Sequence, residues 1–445
     1  MNADTSRGRT PNIVFIMADD MGHECLGVNG CRSYRTPHLD KIASRGVRFT
    51  HCYSTPLCTP SRVQVMTGRY GFRNYEGFCF LNPAETTFAN SLKDAGYATA
   101  ITGKWQLGGG ADRVAGFGFD EHCLNNMGVD HLAPNTLAGG RYADPLIYRN
   151  GSFLPDDEIE GRYGPDICSE FALDFVERNR DRPFLLYYPM ILVHSPFQPT
   201  PDSPEWADPR RRKERARSYF KDMVEYADKL VGRLVAKLEE LDLLDDTLIM
   251  FTGDNGTARA ITTEMRDGSV VGGKGTMPDA GTHVPLVAAL GGTSPDNHDI
   301  TDLVDFSDVF PTIAEAAGAK LPENVVMDGR SFLPQIKGEK GDPRDWAFCH
   351  YDPMVPFADF QANAGRWARG RRFKLYHDGR FYDVPADVLE ESALSEEGLS
   401  EEAGAARARL ASVLASMGEW EERGAKYRGF TKEQSRRFVH FINRR

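Results

Sequence analysis

The sequence predicts an α/β fold in which a large, mainly parallel sheet is sandwiched by helices and a smaller antiparallel α+β subdomain follows. First, short apolar runs alternate along the chain with segments of helical periodicity. Second, these runs are apolar at almost every position, as expected of strands buried on both faces. Third, the alternation of apolar runs and helical segments ends near residue 338, where a hairpin pattern and a charged helix follow. We therefore predict a main domain over residues 1–337 and a C-terminal subdomain over residues 338–445.

The elements of the main domain follow from local patterns. Strands are predicted at residues 12–17, 97–101, 184–188, 247–252 and 284–290, where apolar residues are nearly consecutive. Helices are predicted at residues 37–44, 60–66, 88–95, 166–178, 219–241 and 306–317, where apolar residues recur at helical spacing. Pro60 suits a first helical turn, because that turn leaves its backbone donors unpaired in any case.

The C-terminal subdomain is predicted from a hairpin and a helix. Residues 367–382 read as a hairpin with its turn at Asp378-Gly379, a pair that favours tight turns between strands. A charged helix is predicted at about residues 401–422. These elements indicate a small antiparallel sheet with a helix beside it.

Composition narrows the function classes. The chain has 445 residues, a hydrophobic content of 41% and a net charge of −11, which suit a globular protein with ample core and argue against a nucleic acid partner. Any anion site must be a local cluster of lysine and arginine. The apolar runs are too short to span a membrane. As written the chain is expected to be cytoplasmic, or periplasmic or secreted if an export signal was removed.

The cysteines predict no disulfide framework. The chain has eight, and their spacing matches neither a disulfide scaffold nor a zinc site. We therefore expect mostly reduced, buried thiols.

Polar residues follow the predicted strands directly. Asp19 and Asp20 follow the first strand, and Asp254 and Asn255 follow the strand at 247–252. Ligands in open α/β sheets bind beyond the carboxyl ends of strands, where such residues converge. Three carboxylates and an amide oxygen suit Ca²⁺ or Mg²⁺. A single aspartate of this kind is more often a helix cap or turn residue, but two pairs at strand ends favour a metal site.

Several cationic groups are candidates for binding an anion. Lys104 and Lys274 lie in glycine-flanked loops, where the backbone can approach a ligand closely, although such lysines are more often solvated. His194 follows a buried strand and could donate a proton, although a loop histidine is usually structural. Cys58 and Arg62 flank Pro60 at a helix start, where the helix dipole favours an anion; the alternative is a buried structural cysteine.

The order of these motifs resembles the type I sulfatase family of the alkaline phosphatase superfamily. The matching motifs are, in chain order, Asp19-Asp20, Cys58-Thr59-Pro60-Ser61-Arg62, Gly103-Lys104-Trp105, His194-Ser195-Pro196, Asp254-Asn255-Gly256 and Lys274 with Val284-Pro285. The resemblance covers nearly the whole chain and implies an alkaline-phosphatase-like fold. It also implies that Cys58 is converted to formylglycine (3-oxoalanine) by a formylglycine-generating enzyme, and that the substrate is a sulfate ester, small or glycan.

The resemblance implies a role for each site residue. The Ca²⁺ ligands would be Asp19, Asp20, Asp254, Asn255 and the modified Cys58. Arg62 and Lys104 would hold the formylglycine hydrate, and Lys274 would bind the sulfate oxygens. His194 would act as general acid for the departing alcohol.

Gln106 departs from the family pattern, which usually has histidine two residues after the lysine. That histidine is associated with expelling sulfate, and glutamine does not titrate, so it cannot act as a base. Three readings follow: a sulfatase acting on a sulfated sugar or glycan, a phosphate or phosphonate monoester hydrolase of the same superfamily, and a catalytically impaired sulfoglycan-binding homologue. Asp254-Asn255 in place of an Asp-His pair favours the sulfatase.

Overall fold

The computed structural model describes residues 10–125, 140–355 and 358–428. The strands are β1 (Asn12–Ala18), β2 (Val47–Tyr53), β3 (Ala98–Lys104), β4 (Glu121–Asn125), β5 (Tyr148–Arg149), β6 (Ser152–Phe153), β7 (Phe184–Pro189), β8 (Thr247–Gly253), β9 (Thr262–Met265), β10 (Gly268–Val271), β11 (His283–Leu290), β12 (His298–Asp305), β13 (Ala347–Tyr351), β14 (Gly365–Arg369), β15 (Phe373–Tyr376) and β16 (Phe381–Asp383). The α-helices are α1 (Pro37–Ser44), α2 (Cys58–Thr67), α3 (Gly71–Asn74), α4 (Phe88–Asp94), α5 (Ala111–Gly116), α6 (Asp156–Ile159), α7 (Gly164–Arg178), α8 (Tyr219–Glu240), α9 (Asp279–Thr282), α10 (Val309–Ala317), α11 (Leu333–Ile336), α12 (Ala358–Gln361) and α13 (Glu401–Ser416).

The central feature is a 10-stranded sheet in the order β12-β2-β11-β8-β1-β7-β3-β4-β5-β6. Its middle is parallel: β1 pairs with β7 and β8, and β3 pairs with β7 and β4. Strand β11 runs antiparallel to both β8 and β2. The prediction of a mainly parallel sheet is therefore confirmed, with two antiparallel strands, β11 and β5, that the sequence did not reveal.

Strand β1 shows why this sheet is covered on both faces. Val14 and Ile16 belong to a core that includes residues of α1, α7 and α8, whereas Phe15 and Met17 belong to a second core with α2, α4 and α10. All four side chains are fully buried. Because alternate residues of a strand point to opposite faces, a continuous apolar run serves two cores at once. Each such side chain contributes about 1.5–3 kcal/mol by burial.

The predicted elements of the main domain mostly recur with small shifts. Helix α2 begins at Cys58 rather than at Pro60, so the proline is the third helical residue, where its missing N–H still costs nothing. The predicted helix at 306–317 begins as a 3₁₀ turn before α10. Seven strands were missed: β2 and β12, which alternate with polar residues, and the short strands β4, β5, β6, β9 and β10.

The C-terminal part forms a four-stranded antiparallel sheet, β13-β14-β15-β16, with α13 packed against it. The turn at Asp378-Gly379 is confirmed, because Gly379 has a positive φ between β15 and β16. Two predictions were wrong. The first hairpin arm is two strands, β14 and β15, and the charged helix ends at Ser416, followed by Gly418 at positive φ. The boundary at residue 338 stays a prediction.

Two further findings concern helices and cysteines. Among the described helices, none combines the length and apolar character needed to cross a bilayer. The eight cysteines are unpaired, and Cys31 and Cys79 are partly exposed while the others are buried.

Candidate active site

Two strand ends bring the predicted acidic pairs together. Strands β1 and β8 are adjacent and in register through Ala18 and Gly253, so the residues that follow each strand meet. The backbone N–H of Asp20 donates to Asp254 Oδ1 at 3.0 Å, and Asn255 Nδ2 donates to Asp20 Oδ1 at 2.9 Å. The neighbouring chains pass so closely that a Cβ on Gly253 would lie 1.9 Å from the Met21 carbonyl oxygen.

Each of the three carboxylates faces one cation. Lys104 Nζ lies 2.7 Å from Asp19 Oδ2, and Arg62 Nη2 lies 2.8 Å from Asp254 Oδ2. Lys274 Nζ lies 2.6 Å from Asp20 Oδ1. Arg62, Lys104 and the three carboxylates are almost fully buried. The predicted anion-binding residues and the predicted metal ligands therefore form one buried cluster.

The cluster shifts the ionisation of its members. Burial alone would raise the pKa of Asp19, but Lys104, His194, Arg62 and Lys274 together hold it well below its usual range. Burial would likewise raise the pKa of Asp20, but the charge of Lys274 and its neighbours lowers it below the usual value. For Asp254, burial and the charge of Asp19 raise the pKa to about 6. Carboxylates so close together repel one another, so the last one to ionise does so with difficulty.

The donor set fits a hard divalent cation. Among the described residues, the buried atoms Asp19 Oδ1 and Asn255 Oδ1 have no hydrogen-bond partner. Ligand atoms of Asp19, Asp20 and His194 all lie within 4.8 Å of one another. Buried polar oxygens are rarely left unpaired, so these two atoms are suited to coordinate a metal ion. Oxygen ligands of this kind suit Ca²⁺ or Mg²⁺.

Helix α2 brings Cys58 to the edge of this cluster. Cys58 is its first residue and is 2% exposed. Arg62 lies one turn later on the same face, and its Nε and Nη1 have no partner in the described part of the chain. Cys58 lies close enough to Arg62 and Lys274 to affect the pKa of both. Two buried guanidinium donors beside Cys58 are therefore free to bind an anion.

His194 lies after β7, in the loop that faces Asp20. Its Nε2 lies 3.9 Å from Asp20 Oδ2. Burial and the charge of Lys274 lower its pKa to about 3, so the ring is neutral at pH 7. Its Nδ1 contacts Arg141 Nη1 and also lies 2.6 Å from the Ser195 carbonyl oxygen. A neutral Nδ1 cannot accept from arginine and donate to a carbonyl at once, so these contacts belong to different tautomers.

Gln106 lies just beyond β3 with a φ of 55°. Its side chain is 7% exposed and hydrogen-bonds to the Cys79 thiol, while its Oε1 has no partner among the described residues. Burial raises the pKa of Cys79 to about 12. At the position that carries histidine in the family pattern, the Gln106 amide and the adjacent Cys79 thiol are therefore both neutral at pH 7.

Sequence reasoning missed several residues of this site. Arg141 and Cys79 lie in loops without a motif, so no local signal marked them. Thr257 is fully buried and connects three loops: its hydroxyl contacts Glu24 and accepts from the Gly22 N–H at 3.0 Å. Its carbonyl accepts from the Lys274 N–H at 3.0 Å. Its position two residues after Asn255 was the only available signal.

Comparisons with known proteins agree with this arrangement. The family model described as Sulfatase matches residues 11–319. The chain is similar to the steryl-sulfatase of Mus musculus, with 31% identity over 81% of this chain and 70% of that protein. Its fold is similar to that of the PsFucS1 sulfatase from Pseudoalteromonas sp., with a TM-score of 0.69, 22% identity and coverage of 96% and 92% of the two chains. It is also similar to that of the phosphonate monoester hydrolase of Agrobacterium radiobacter, with a TM-score of 0.64, 20% identity and coverage of 92% and 95%.

Proposed function

The chain belongs to the sulfatase family, and we propose that it hydrolyses a sulfate ester of a sugar or glycan with a formylglycine made from Cys58 and one divalent cation. The observation that carries this proposal is the buried cluster in which three carboxylates face three cations beside Cys58. Its unpaired atoms support it further, because Asp19 Oδ1 and Asn255 Oδ1 suit a metal and the free Arg62 donors suit an anion.

The cation, Ca²⁺ or alternatively Mg²⁺, would be held by Asp19, Asp20, Asp254, Asn255 and the modified residue 58. When bound, it supplies positive charge that polarises a sulfate oxygen. The hydrated aldehyde supplies one hydroxyl for attack on sulfur and a second that allows the product to leave.

The side chains of the chain itself have separate roles in this proposal. Arg62 and Lys104 hold residue 58 and stabilise its ionised form, because both are fixed cations in a buried site. Lys274 binds sulfate oxygens from the opposite loop. His194, neutral at pH 7, would stabilise the departing alcohol oxygen through a hydrogen bond from its Nε2–H when Nδ1 accepts from Arg141, and transfer of a proton to that oxygen would require the ring to be protonated first.

Gln106 makes sulfate release the slow step in this proposal. Expelling sulfate needs a base, and a glutamine side chain does not titrate. The Cys79 thiol beside it does not replace that base, because its pKa of about 12 keeps it protonated. The alcohol product should therefore leave in a burst, followed by a slower steady rate.

Two alternatives remain to be tested against this proposal. A phosphate or phosphonate monoester hydrolase would use the same cations, and the fold resemblance to a phosphonate hydrolase gives that reading some support. Its donor set would be expected to bring further histidines for a second metal. A sulfoglycan-binding homologue with impaired turnover would retain the anion site but release no product.

One experiment separates these readings. The protein is coexpressed with a formylglycine-generating enzyme, and the tryptic peptide of residues 49–62 is sequenced by mass spectrometry. Fragmentation is needed because this peptide contains both Cys52 and Cys58. The same sample is then assayed on sulfated sugars, phosphate esters and phosphonate esters, with and without a chelator.

The expected result is an aldehyde at residue 58 together with chelator-sensitive release of sulfate. Full activity in Cys58→Ala, or activity that is indifferent to chelation, contradicts the mechanism. Preferential turnover of phosphate esters with stoichiometric zinc favours the phosphate or phosphonate monoester hydrolase. Tight binding of sulfated sugars without turnover favours the impaired sulfoglycan-binding homologue.

A further inference from the structure

Arg141 is a cation of this site that the proposed reaction does not require for the sulfate group. It is half-buried, and its Nη1 contacts His194 Nδ1. Arg62, Lys104 and Lys274 each face a carboxylate within 2.8 Å. In the described part of the chain Arg141 has no carboxylate partner, so its charge is not neutralised there.

The positive charge of Arg141 is not balanced by the other charges of the cluster. The three carboxylates balance Arg62, Lys104 and Lys274. A divalent cation would add two positive charges, which a sulfate monoester and an ionised nucleophile would offset. Arg141 lies outside this balance, and a half-buried cation has lost part of its hydration without gaining a counter-ion among the described residues. An additional anion arriving with the substrate would supply that counter-ion.

The contact between Arg141 and His194 does not use the whole guanidinium. His194 Nδ1 also has the Ser195 carbonyl within 2.6 Å, so the arginine competes for that nitrogen. No other hydrogen bond of the Arg141 side chain occurs among the described residues. The planar guanidinium can therefore present its remaining donors to a carboxylate or sulfate in a bidentate manner.

The backbone beside Arg141 is held firmly. The Tyr142 hydroxyl donates to the His194 carbonyl and lies 3.3 Å from the Ile191 carbonyl oxygen. A Cβ on Gly164 would lie 2.3 Å from the Arg141 carbonyl oxygen, so the segment packs tightly against the start of α7. The backbone at Arg141 is therefore fixed on the same side as His194, so that only its side chain has to be ordered when an anion binds.

We propose that Arg141 binds a second anionic group, a carboxylate or a second sulfate, on the alcohol part of the substrate next to the scissile oxygen. This inference rests on the proposed function, because His194 marks the leaving-group side only if it faces the departing oxygen. Arg141 would then determine specificity for substrates that carry two neighbouring anionic groups.

The test compares four aryl sulfates on the modified, metal-loaded enzyme: phenyl sulfate, 2-carboxyphenyl sulfate, 4-carboxyphenyl sulfate and 1,2-phenylene disulfate. Each is assayed with wild type, Arg141→Gln, Arg141→Lys and the control Arg149→Gln. Arg149 is a suitable control because its ion pair with Glu158 is about 40% exposed and belongs to no part of the cluster. Dividing each kcat/KM by the phenyl sulfate value cancels effects that act through His194 alone.

For Arg141→Gln, we expect this ratio to fall by roughly 10–100-fold for the two substrates with an adjacent anion, the range for a charge-assisted hydrogen bond. It should stay unchanged for 4-carboxyphenyl sulfate and in Arg149→Gln. Arg141→Lys should recover part of the loss, because it keeps the charge without the bidentate geometry. Loss confined to the carboxylate or to the disulfate identifies the anionic group.

An equal loss on all four substrates, or no loss, overturns the proposal while leaving the proposed function intact. So does a wild-type enzyme that hydrolyses sulfated sugars but has no preference for an adjacent anion. Inactivity of the modified wild type on every sulfate ester overturns the proposed function and this inference together. If Arg141→Gln does not fold, Arg141→Lys decides by the same ratio.

Discussion

Replacing Lys104 by methionine tests the buried charge cluster most directly. Lys104 Nζ and Asp19 Oδ2 are 2.7 Å apart, and their side chains are 2% and 0% exposed. Lys104→Met keeps the apolar volume of the side chain but leaves Asp19 buried without its nearest counter-ion. Removing one partner of a buried ion pair typically costs about 3–5 kcal/mol. We expect the free energy of unfolding of the metal-free protein to fall by that amount.

The matched control is Lys93→Met. Lys93 Nζ lies 2.7 Å from Asp120 Oδ1, the same separation, but these side chains are 46% and 42% exposed. Solvent screens such a pair, so its loss should cost about 0–1 kcal/mol. The two variants therefore differ in burial and not in contact distance.

The assay is urea unfolding followed by tryptophan fluorescence, in chelator and in excess Ca²⁺. A bound cation would replace part of the charge that Asp19 loses in Lys104→Met, so calcium should reduce the destabilisation of this variant. A stabilising role of the buried pair is contradicted if Lys104→Met loses no more stability than Lys93→Met, or if calcium does not change the loss in Lys104→Met.

The remaining predictions concern Gln106, two histidines and Thr257. Gln106→His should supply the missing base, raising the steady rate of sulfate release by about 10-fold or more and shrinking the burst of alcohol. Burial holds the pKa of His51 and His283 at about 4. The unfolded chain binds these protons from about pH 6.5 downward, so the stability present above pH 6.5 is lost as the pH falls toward 4. After allowance for partial exposure, each histidine should lower the free energy of unfolding by about 1 kcal/mol at pH 5. Thr257→Val should lower kcat/KM about 10-fold or more by releasing its contacts with Glu24 and Gly22, and Thr257→Ser should restore it.

Each of these predictions has a result that contradicts it. For Gln106, it is a wild-type progress curve without a burst together with no gain in Gln106→His. For the histidines, the free energy of unfolding is measured by urea titration at pH 5 and at pH 7.5. The difference between the two values should be smaller in His51→Gln than in wild type. An equal difference contradicts the contribution of His51 to the pH dependence. For Thr257, equal activities of the valine and serine variants would show that the hydroxyl does not position the loops.

The buried strands of this protein and the polar residues at their ends could be predicted from local sequence patterns. Strand β1 is recognisable without its neighbours, because a strand buried on both faces must be apolar at consecutive positions. Asp19 and Asp254 were recognisable for a related reason, since they follow such strands directly and ligands bind at that edge. These signals are local, and a local pattern can be read from one segment alone.

Which groups face one another depends on the fold as a whole. Lys104 meets Asp19 across 85 positions of the chain, and Lys274 meets Asp20 across 254. The antiparallel course of β11 and the contact of Arg141 with His194 likewise left no mark in any short segment. Such encounters depend on the order of strands and the paths of loops. Those are set by the packing of the whole sheet, because the same local patterns are compatible with several strand orders.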